Sequence, residues 1–183
     1  PQLGRRERDM RNKAGEGAAA QKKTGEGKKD QGTSAQLTSF IDPSLNWEDL
    51  AWFKSITKMP IILKGVQTKE DALKASRAGI RGIVVSNHGG RQLDAARSGI
   101  EVLGEVVPAL KLANGGSLPQ GFEIFVDGGI RRGSDVFKAL AMGASAVGIG
   151  KPVAYAMSAY GQSGIEAAVL ALKTELSNTM RLM

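Results

Sequence analysis

The residues with the clearest chemical potential are His88 and Arg91, which lie three positions apart in the segment Ser86-Asn-His-Gly-Gly-Arg-Gln92. His88 is the only histidine of the 183-residue chain. An imidazole titrates near neutral pH, so it can take up a proton and return it. A guanidinium presents a planar pair of donors that matches a carboxylate. The segment therefore predicts proton transfer beside an anionic substrate group.

Four apolar segments, which we interpret as strands, position these and other polar residues. The segments are 60–66, 82–87, 122–126 and 146–150, and helical spacing of apolar residues fills the intervals between them. This alternation predicts an α/β fold with a parallel sheet, either open and doubly wound or part of a (β/α)8 barrel. The strands are apolar along their length, which predicts that both faces of the sheet are covered.

Helix signals flank the strands. We predict a helix over 43–58 with Asn46 as its N-cap, and a capping box formed by Ser98 and Glu101. Ser163 with Glu166 predicts the start of the last helix.

Polar residues follow every strand, at the carboxyl ends that share one rim of a parallel sheet. Lys64 interrupts an apolar strand, so its ammonium needs an anionic partner or faces an electron-rich ligand. A structural salt bridge at Lys64 and a structural role for His88 are the alternatives. Glycines with nearby cations follow the third and fourth strands, which predicts a phosphate site, the alternative being tight turns. These residues are Asp127, Gly128, Gly129, Arg131, Gly150 and Lys151.

The composition excludes a disulfide-stabilised protein and a cysteine-based zinc site. The chain has no cysteine, a hydrophobic content of 42% and a net charge of +7. Residues 1–34 carry nine Lys/Arg and five Asp/Glu, so more than half of the excess charge lies in a polar segment without a core. We interpret residues 1–39 as a flexible basic linker, and we expect no nucleic-acid partner, membrane span or metal site. The start lacks Met, which favours a fragment.

Four motifs together resemble the FMN-dependent 2-hydroxy acid dehydrogenase/oxidase family, most closely its flavocytochrome b2 (cytochrome-type L-lactate dehydrogenase) branch. They are Ile62-Leu-Lys-Gly-Val66, Ser86-Asn-His-Gly-Gly-Arg-Gln-Leu-Asp94, Val126-Asp-Gly-Gly-Ile-Arg-Arg-Gly133 and Gly148-Ile-Gly-Lys-Pro152. The resemblance covers residues 40–183. It implies the C-terminal half, strands 5 to 8, of a TIM (β/α)8 barrel.

The resemblance also implies roles for single residues. His88 becomes the catalytic base and Arg91 the group that binds the substrate carboxylate. Lys64 contacts the flavin and steadies its charge, and Ser86 lies beside the flavin. The residues implied to bind the ribityl chain and phosphate of FMN are Asp127, Gly128, Gly129, Arg131, Gly150 and Lys151. The family usually has arginine where Lys151 stands, so a phosphate there meets a point charge instead of a two-donor fork.

The implied activity is oxidation of an L-2-hydroxy acid, L-lactate in the first place, to the 2-keto acid, with FMN as cofactor. Cytochrome c or oxygen is the implied electron acceptor, a tetramer the implied assembly, and haem b the cofactor of an upstream domain in the flavocytochrome branch. The implied compartment is the mitochondrial intermembrane space, or else the cytoplasm or peroxisome. Two alternatives stay open: an inactive half-barrel, and a different phosphate-binding barrel enzyme.

Overall fold

A computed structural model describes residues 44–182 of the chain. The chain divides into two units between Trp47 and Glu48, and the second unit is described over residues 48–182. Of the first unit, residues 44–47 are described, and there the Asn46 side-chain amide donates to the Ser44 carbonyl oxygen (3.1 Å). The predicted linker at residues 1–39 lies outside the described residues.

The second unit alternates helices and strands in the predicted order. The elements are α1 (Asp49–Ile56), β1 (Ile62–Val66), α2 (Lys69–Arg77), β2 (Gly82–Val85), α3 (Gly99–Ala113), β3 (Glu123–Asp127), α4 (Gly133–Ala141), β4 (Ala146–Gly148) and α5 (Lys151–Arg181). Each of the four predicted strands is present, with ends that differ by one or two residues. No helix within residues 44–182 combines the length and the hydropathy that a bilayer-spanning segment needs.

Of the predicted helix starts, one is confirmed in detail and another is wrong. Ser98 and Glu101 form the predicted capping box: the Ser98 hydroxyl accepts from the Glu101 amide, and the Glu101 carboxylate accepts from the Ser98 amide. The prediction of Asn46 as an N-cap is wrong, because α1 begins at Asp49 after Glu48. The Asn46 side chain is instead used by the turn at Ser44.

The last helix is in two parts: α5 begins at Lys151, and its second part begins directly after Gly161, within two residues of the predicted start at Ser163. Pro152 suits the first turn of a helix, where its missing N–H costs nothing. Gly161 then leaves the helical region (φ 62°, ψ −141°) and breaks α5 into two parts. Beyond this break the Ser163 hydroxyl donates to the Tyr160 carbonyl oxygen, so it does not form a capping box.

The four strands form one parallel sheet in the order β1-β2-β3-β4. This order has no reversal, whereas a doubly wound sheet changes direction at a switch point. Right-handed crossovers between sequential neighbours place their helices on a single face. Of the two arrangements that the sequence left open, the observed order is therefore the one found in a (β/α)8 barrel.

One face of the sheet carries the core. Every second residue of β2 and β3 faces the helices. These residues are Ile83, Val85, Ile124 and Val126, and each is at most 1% exposed. On the opposite face Lys64, Val84, Phe125 and Ala146 form one register row, and all four remain half-buried or exposed. The prediction that both faces are covered is thus wrong for the described residues, since the helices pack on one face only.

Candidate active site

The end of β1 is shaped by a bulge that positions Lys64. Lys64 pairs with Val84, but Val66 pairs with Val85, so Gly65 is the extra residue of the bulge. Gly65 has a φ of +93°, which is accessible to glycine at little cost. Bulges of this kind redirect side chains at strand ends. Here the bulge lies directly after Lys64, whose side chain is 48% exposed.

Ser86 lies at the centre of the contacts that follow β1, β2 and β3. It is 2% exposed and is the only buried polar residue of the described part of the chain. The Lys64 ammonium donates to the Ser86 hydroxyl oxygen (3.1 Å), and the hydroxyl in turn donates to the Asp127 carboxylate. The Lys64 ammonium also forms a direct ion pair with Asp127 (Nζ–Oδ2 3.6 Å). The structural salt bridge considered for Lys64 is therefore present.

His88 is held beside this group by a tight left-handed turn. Its φ is +58°, and Gly89 and Gly90 follow with +64° and +72°. A histidine in this region is strained, whereas the two glycines are not. The His88 amide donates to the Ser86 hydroxyl (3.0 Å), and the Gly90 amide donates to the Asn87 side-chain oxygen (3.0 Å). The Asn87 side chain is itself anchored to the Arg97 carbonyl (3.2 Å).

The Lys64 ammonium and the His88 imidazole are in direct contact, with Nζ and Nδ1 separated by 3.3 Å. Lys64 in β1 and His88 after the neighbouring strand β2 thus touch each other at the rim.

Arg91 and Arg131, in contrast, stay apart from this cluster. Both residues are exposed, and neither guanidinium has a hydrogen-bond or ion-pair partner among residues 44–182. The loop that follows Arg91 leads to α3 without regular secondary structure. The structure therefore brings Lys64, Ser86, His88 and Asp127 together and leaves the two arginines facing solvent.

The ends of β3 and β4 depend on glycine. A Cβ atom at Gly148 would lie 2.9 Å from the Asp127 Cβ, so only glycine lets β4 pass this close to Asp127. Gly128 lies against the His88 turn, where an added Cβ would come within 3.6 Å of the Gly89 Cα. The loops after β2 and β3 therefore meet at the same rim.

Backbone donors at this part of the rim are free. The amides of Gly128, Gly129 and Gly150 donate to no group among the described residues, and a Cβ added at Gly129 or Gly150 would meet nothing within 4 Å. The Lys151 ammonium reaches across to the Gly89 carbonyl (3.1 Å), which ties the loop after β4 to the His88 turn. Open space, unpaired N–H groups and a cation are the features of an anion site.

The N-terminus of α4 is different, because carboxylates of the chain already occupy it. Asp135 accepts from the amides of Arg131 and Arg132 (3.0 Å each), and Glu175 accepts from the Gly133 amide (2.8 Å). An external anion at this terminus would have to displace two carboxylates. At the N-terminus of α5, in contrast, no side chain caps the first turn.

Sequence reasoning missed the network that fixes the loops after β1 and β2. Arg97 forms an ion pair with Glu105 and donates to the Gln67 carbonyl (2.7 Å). Glu105 also accepts from the Lys69 amide (3.0 Å), and these contacts, the Arg97 side chain first, lower the pKa of the Glu105 carboxyl. The Ser98 hydroxyl similarly lowers the pKa of Glu101. The spacing of Arg97 and Glu105 matches no recognised motif, so the sequence offered no signal for it.

Comparison with known proteins gives a consistent result. The profile of a family described as FMN-dependent dehydrogenase matches residues 1–183. An L-lactate dehydrogenase (cytochrome) of Wickerhamomyces anomalus is 54% identical over 183 residues, which are 100% of this chain and 31% of that protein. A peroxisomal (S)-2-hydroxyacid oxidase of Arabidopsis thaliana is 48% identical over 190 residues, 100% of this chain and 49% of that protein.

Solved structures agree with these relatives. A flavocytochrome b2 variant with bound pyruvate superposes with a TM-score of 0.75 and 52% identity, covering 82% of this chain and 38% of that one. A mandelate oxidase variant gives a TM-score of 0.69 and 48% identity, covering 78% of this chain and 43% of that one. The chain therefore spans between about a third and a half of the length of the relatives that it matches.

Proposed function

Because the chain belongs to the FMN-dependent dehydrogenase family, we propose that it is the C-terminal half of a catalytic barrel that oxidises L-2-hydroxy acids. In this proposal residues 40–183 supply strands 5 to 8 of a (β/α)8 barrel. The observation that carries it is the contact between the His88 imidazole and the Lys64 ammonium at the carboxyl-end rim of the sheet. Catalytic groups of such barrels gather at this rim.

The donor set at the rim fits FMN. Free amides at Gly128, Gly129 and Gly150 suit a phosphate group, and the open space beside Gly129 and Gly150 admits it. Lys151 and Arg131 supply positive charge for the same group. Lys64 lies on the side of the rim nearer the imidazole and would contact the flavin there. When bound, FMN accepts the two electrons that leave the substrate.

Substrate binding, proton transfer and charge stabilisation are each assigned to a different side chain. The Arg91 guanidinium is exposed and unpaired among the described residues, so it is free to bind the substrate carboxylate. His88 takes the substrate proton on an unprotonated ring nitrogen. The Lys64 ammonium stabilises negative charge that develops next to it. The product is the 2-keto acid: His88 takes one of the two protons of the alcohol, and the other would pass to FMN together with the two electrons.

L-Lactate is the proposed substrate and a cytochrome the proposed electron acceptor. Two relatives with 54% and 50% identity are both named L-lactate dehydrogenase (cytochrome). The oxidases are less similar, at 48% identity or lower for the Arabidopsis proteins. These names favour the dehydrogenase over an oxidase that uses oxygen, as well as over a barrel enzyme of unrelated chemistry.

The half-exposed sheet face leads to a second expectation. Ile62 at the β1 edge is 43% exposed, and the register row at Lys64 is not covered by the described residues. Edge strands of this kind are closed in a complete barrel. We therefore expect the 183-residue chain alone to show little or no turnover.

A chimera tests the proposal. In this protein, called the chimera below, the present 183-residue chain replaces the matching segment of the Wickerhamomyces anomalus enzyme. We expect the purified chimera to show flavin absorbance that bleaches when L-lactate is added, as the parent enzyme should. A chimera that is folded and binds FMN but keeps its flavin bands with L-lactate, L-mandelate and glycolate would contradict the proposed activity.

A further inference from the structure

The Ser86 hydroxyl uses its whole hydrogen-bonding capacity within the chain. A hydroxyl has one proton to donate and two lone pairs to accept with. Ser86 donates its proton to Asp127 and accepts from the Lys64 ammonium (3.1 Å) and from the His88 amide (3.0 Å). The residue is 2% exposed, so water has little access to replace any of these partners. No donor or acceptor of this hydroxyl remains for an external ligand.

One of these three contacts acts on a strained residue. His88 has a φ of +58°, in the left-handed region that a residue with a side chain adopts less readily than the right-handed region. Such conformations persist where surrounding contacts fix them, and they concentrate at functional sites. The bond from the His88 amide to Ser86 is the contact that the His88 backbone makes in this conformation among the described residues.

We propose that Ser86 is the positioning residue of His88. Its hydroxyl fixes the left-handed backbone of His88 and thereby places the imidazole against the Lys64 ammonium. The Asp127 carboxylate orients the hydroxyl, because it takes the only proton and turns the two lone pairs toward Lys64 and His88. This assignment concerns geometry alone, and only its consequence for catalysis rests on the proposed function.

The assignment differs from the role that the family resemblance implies, which is a direct contact with the flavin. A flavin contact predicts that loss of the hydroxyl weakens FMN binding. A positioning role predicts that FMN binding is kept and that the step requiring His88 becomes slower. The two roles are thus separated by measuring FMN affinity and flavin reduction on the same variant.

The first experiment follows hydrogen exchange of single amides in the chimera. We expect Ser86→Ala to speed exchange of the His88 amide about 10-fold, the loss expected for one hydrogen bond. Ser86→Thr, which keeps the hydroxyl, should largely restore the slow exchange. Ser145→Ala is the matched control, since the Ser145 hydroxyl also accepts from a backbone amide, that of Ile124 (3.2 Å). It should speed exchange at Ile124 and leave His88 unchanged.

The second experiment measures flavin reduction by L-lactate in a stopped-flow instrument. We expect Ser86→Ala to slow reduction about 10- to 100-fold, as small displacements of catalytic groups do, with FMN affinity within about 3-fold of the unmodified chimera. A positioning residue acts through its target, so adding Ser86→Ala to His88→Gln should cause no further loss. Ser145→Ala should reduce its flavin at the normal rate.

Three results would overturn the proposal. They are an unchanged His88 exchange rate in Ser86→Ala, a normal reduction rate in that variant, and losses that multiply in the double variant. If instead the unmodified chimera does not reduce its flavin, the proposed function fails. The exchange experiment still decides whether Ser86 holds the His88 backbone, so the two failures are distinguishable.

Discussion

The two halves of the rim present different kinds of donors. After β1 and β2, the donors are side chains, and Lys64, Ser86 and His88 are bonded to one another within 3.3 Å. After β3 and β4, the free donors are backbone amides of glycines, with open space in front of them. Asp127 at the end of β3 and Lys151 at the start of α5 connect the halves.

This difference indicates a division of labour. Side chains that hold one another in place are preorganised, which is what acid–base and electrostatic catalysis require. Backbone amides with no partner are suited to bind a ligand that completes them. We call the rim after β1 and β2 the side-chain half and the rim after β3 and β4 the glycine half. We expect changes in the side-chain half to affect the rate of flavin reduction, and changes in the glycine half to affect FMN affinity.

The largest effect should follow from His88→Gln in the chimera. Glutamine keeps polar atoms but cannot take up a proton at neutral pH, so we expect flavin reduction by L-lactate to fall by about 10³-fold or more. FMN content should stay normal, because the imidazole lies in the side-chain half. Stopped-flow absorbance measures the rate, and the flavin spectrum measures the content. Reduction at the normal rate would remove the base role from His88.

Arg91→Lys should come next in size. Lysine keeps the charge but loses the two-donor fork, so we expect KM for L-lactate to rise by about 10- to 100-fold, with FMN affinity unchanged. Steady-state kinetics of the chimera provides KM and kcat separately. The matched change is Arg131→Lys in the glycine half, which should alter FMN affinity more than KM. The opposite pattern would exchange the roles of the two arginines.

The sequence predicted the strand ends well because the signals there are local. Apolar runs, capping residues and glycines identify β1 to β4, and the Ser98 capping box begins α3 as predicted. The rim residues then follow from the rule that parallel strands end at one edge. What the sequence could not give was which rim residues touch, since that depends on backbone detail such as the bulge at Gly65.

The wrong predictions have physical causes of the same kind. Ser163 and Glu166 match a capping pattern beside the break at Gly161, but the Ser163 hydroxyl donates to the Tyr160 carbonyl oxygen and forms no capping box. The sequence also offered no sign that Glu175 accepts from the Gly133 amide at the N-terminus of α4, from a position 42 residues away. A contact between such distant residues leaves no local pattern.

Gly150→Ala is a smaller and more specific test of the glycine half. An added Cβ at Gly150 would meet nothing within 4 Å, and φ is −106°, so the change introduces no left-handed strain or clash with described residues. We expect the chimera to keep its free energy of unfolding and to bind FMN about 10-fold more weakly, equivalent to about 1.4 kcal/mol. Fluorescence titration measures the affinity. Unchanged FMN affinity would place the phosphate elsewhere.

The smallest effect concerns the Arg97–Glu105 pair that supports the side-chain half from outside. Glu105→Gln keeps an acceptor for the Lys69 amide but removes the charge opposite Arg97. The Glu105 pKa is lowered in the folded chain, so its contribution is complete above the ordinary value of 4.5 and is lost as the pH falls through the lowered pKa. We expect the variant to have a Tm lower by about 1–3 °C at pH 7.

Thermal unfolding of the chimera and its Glu105→Gln variant between pH 7 and pH 3 measures this dependence. The two Tm values should converge as the pH falls below 4.5, because protonated glutamic acid and glutamine are both neutral. Flavin reduction at pH 7 should change less than about 3-fold, since neither side chain reaches the rim contacts of His88. A loss as large as that of Ser86→Ala would mean that the support outside the rim controls the imidazole, and that the side-chain half is not preorganised by its own contacts.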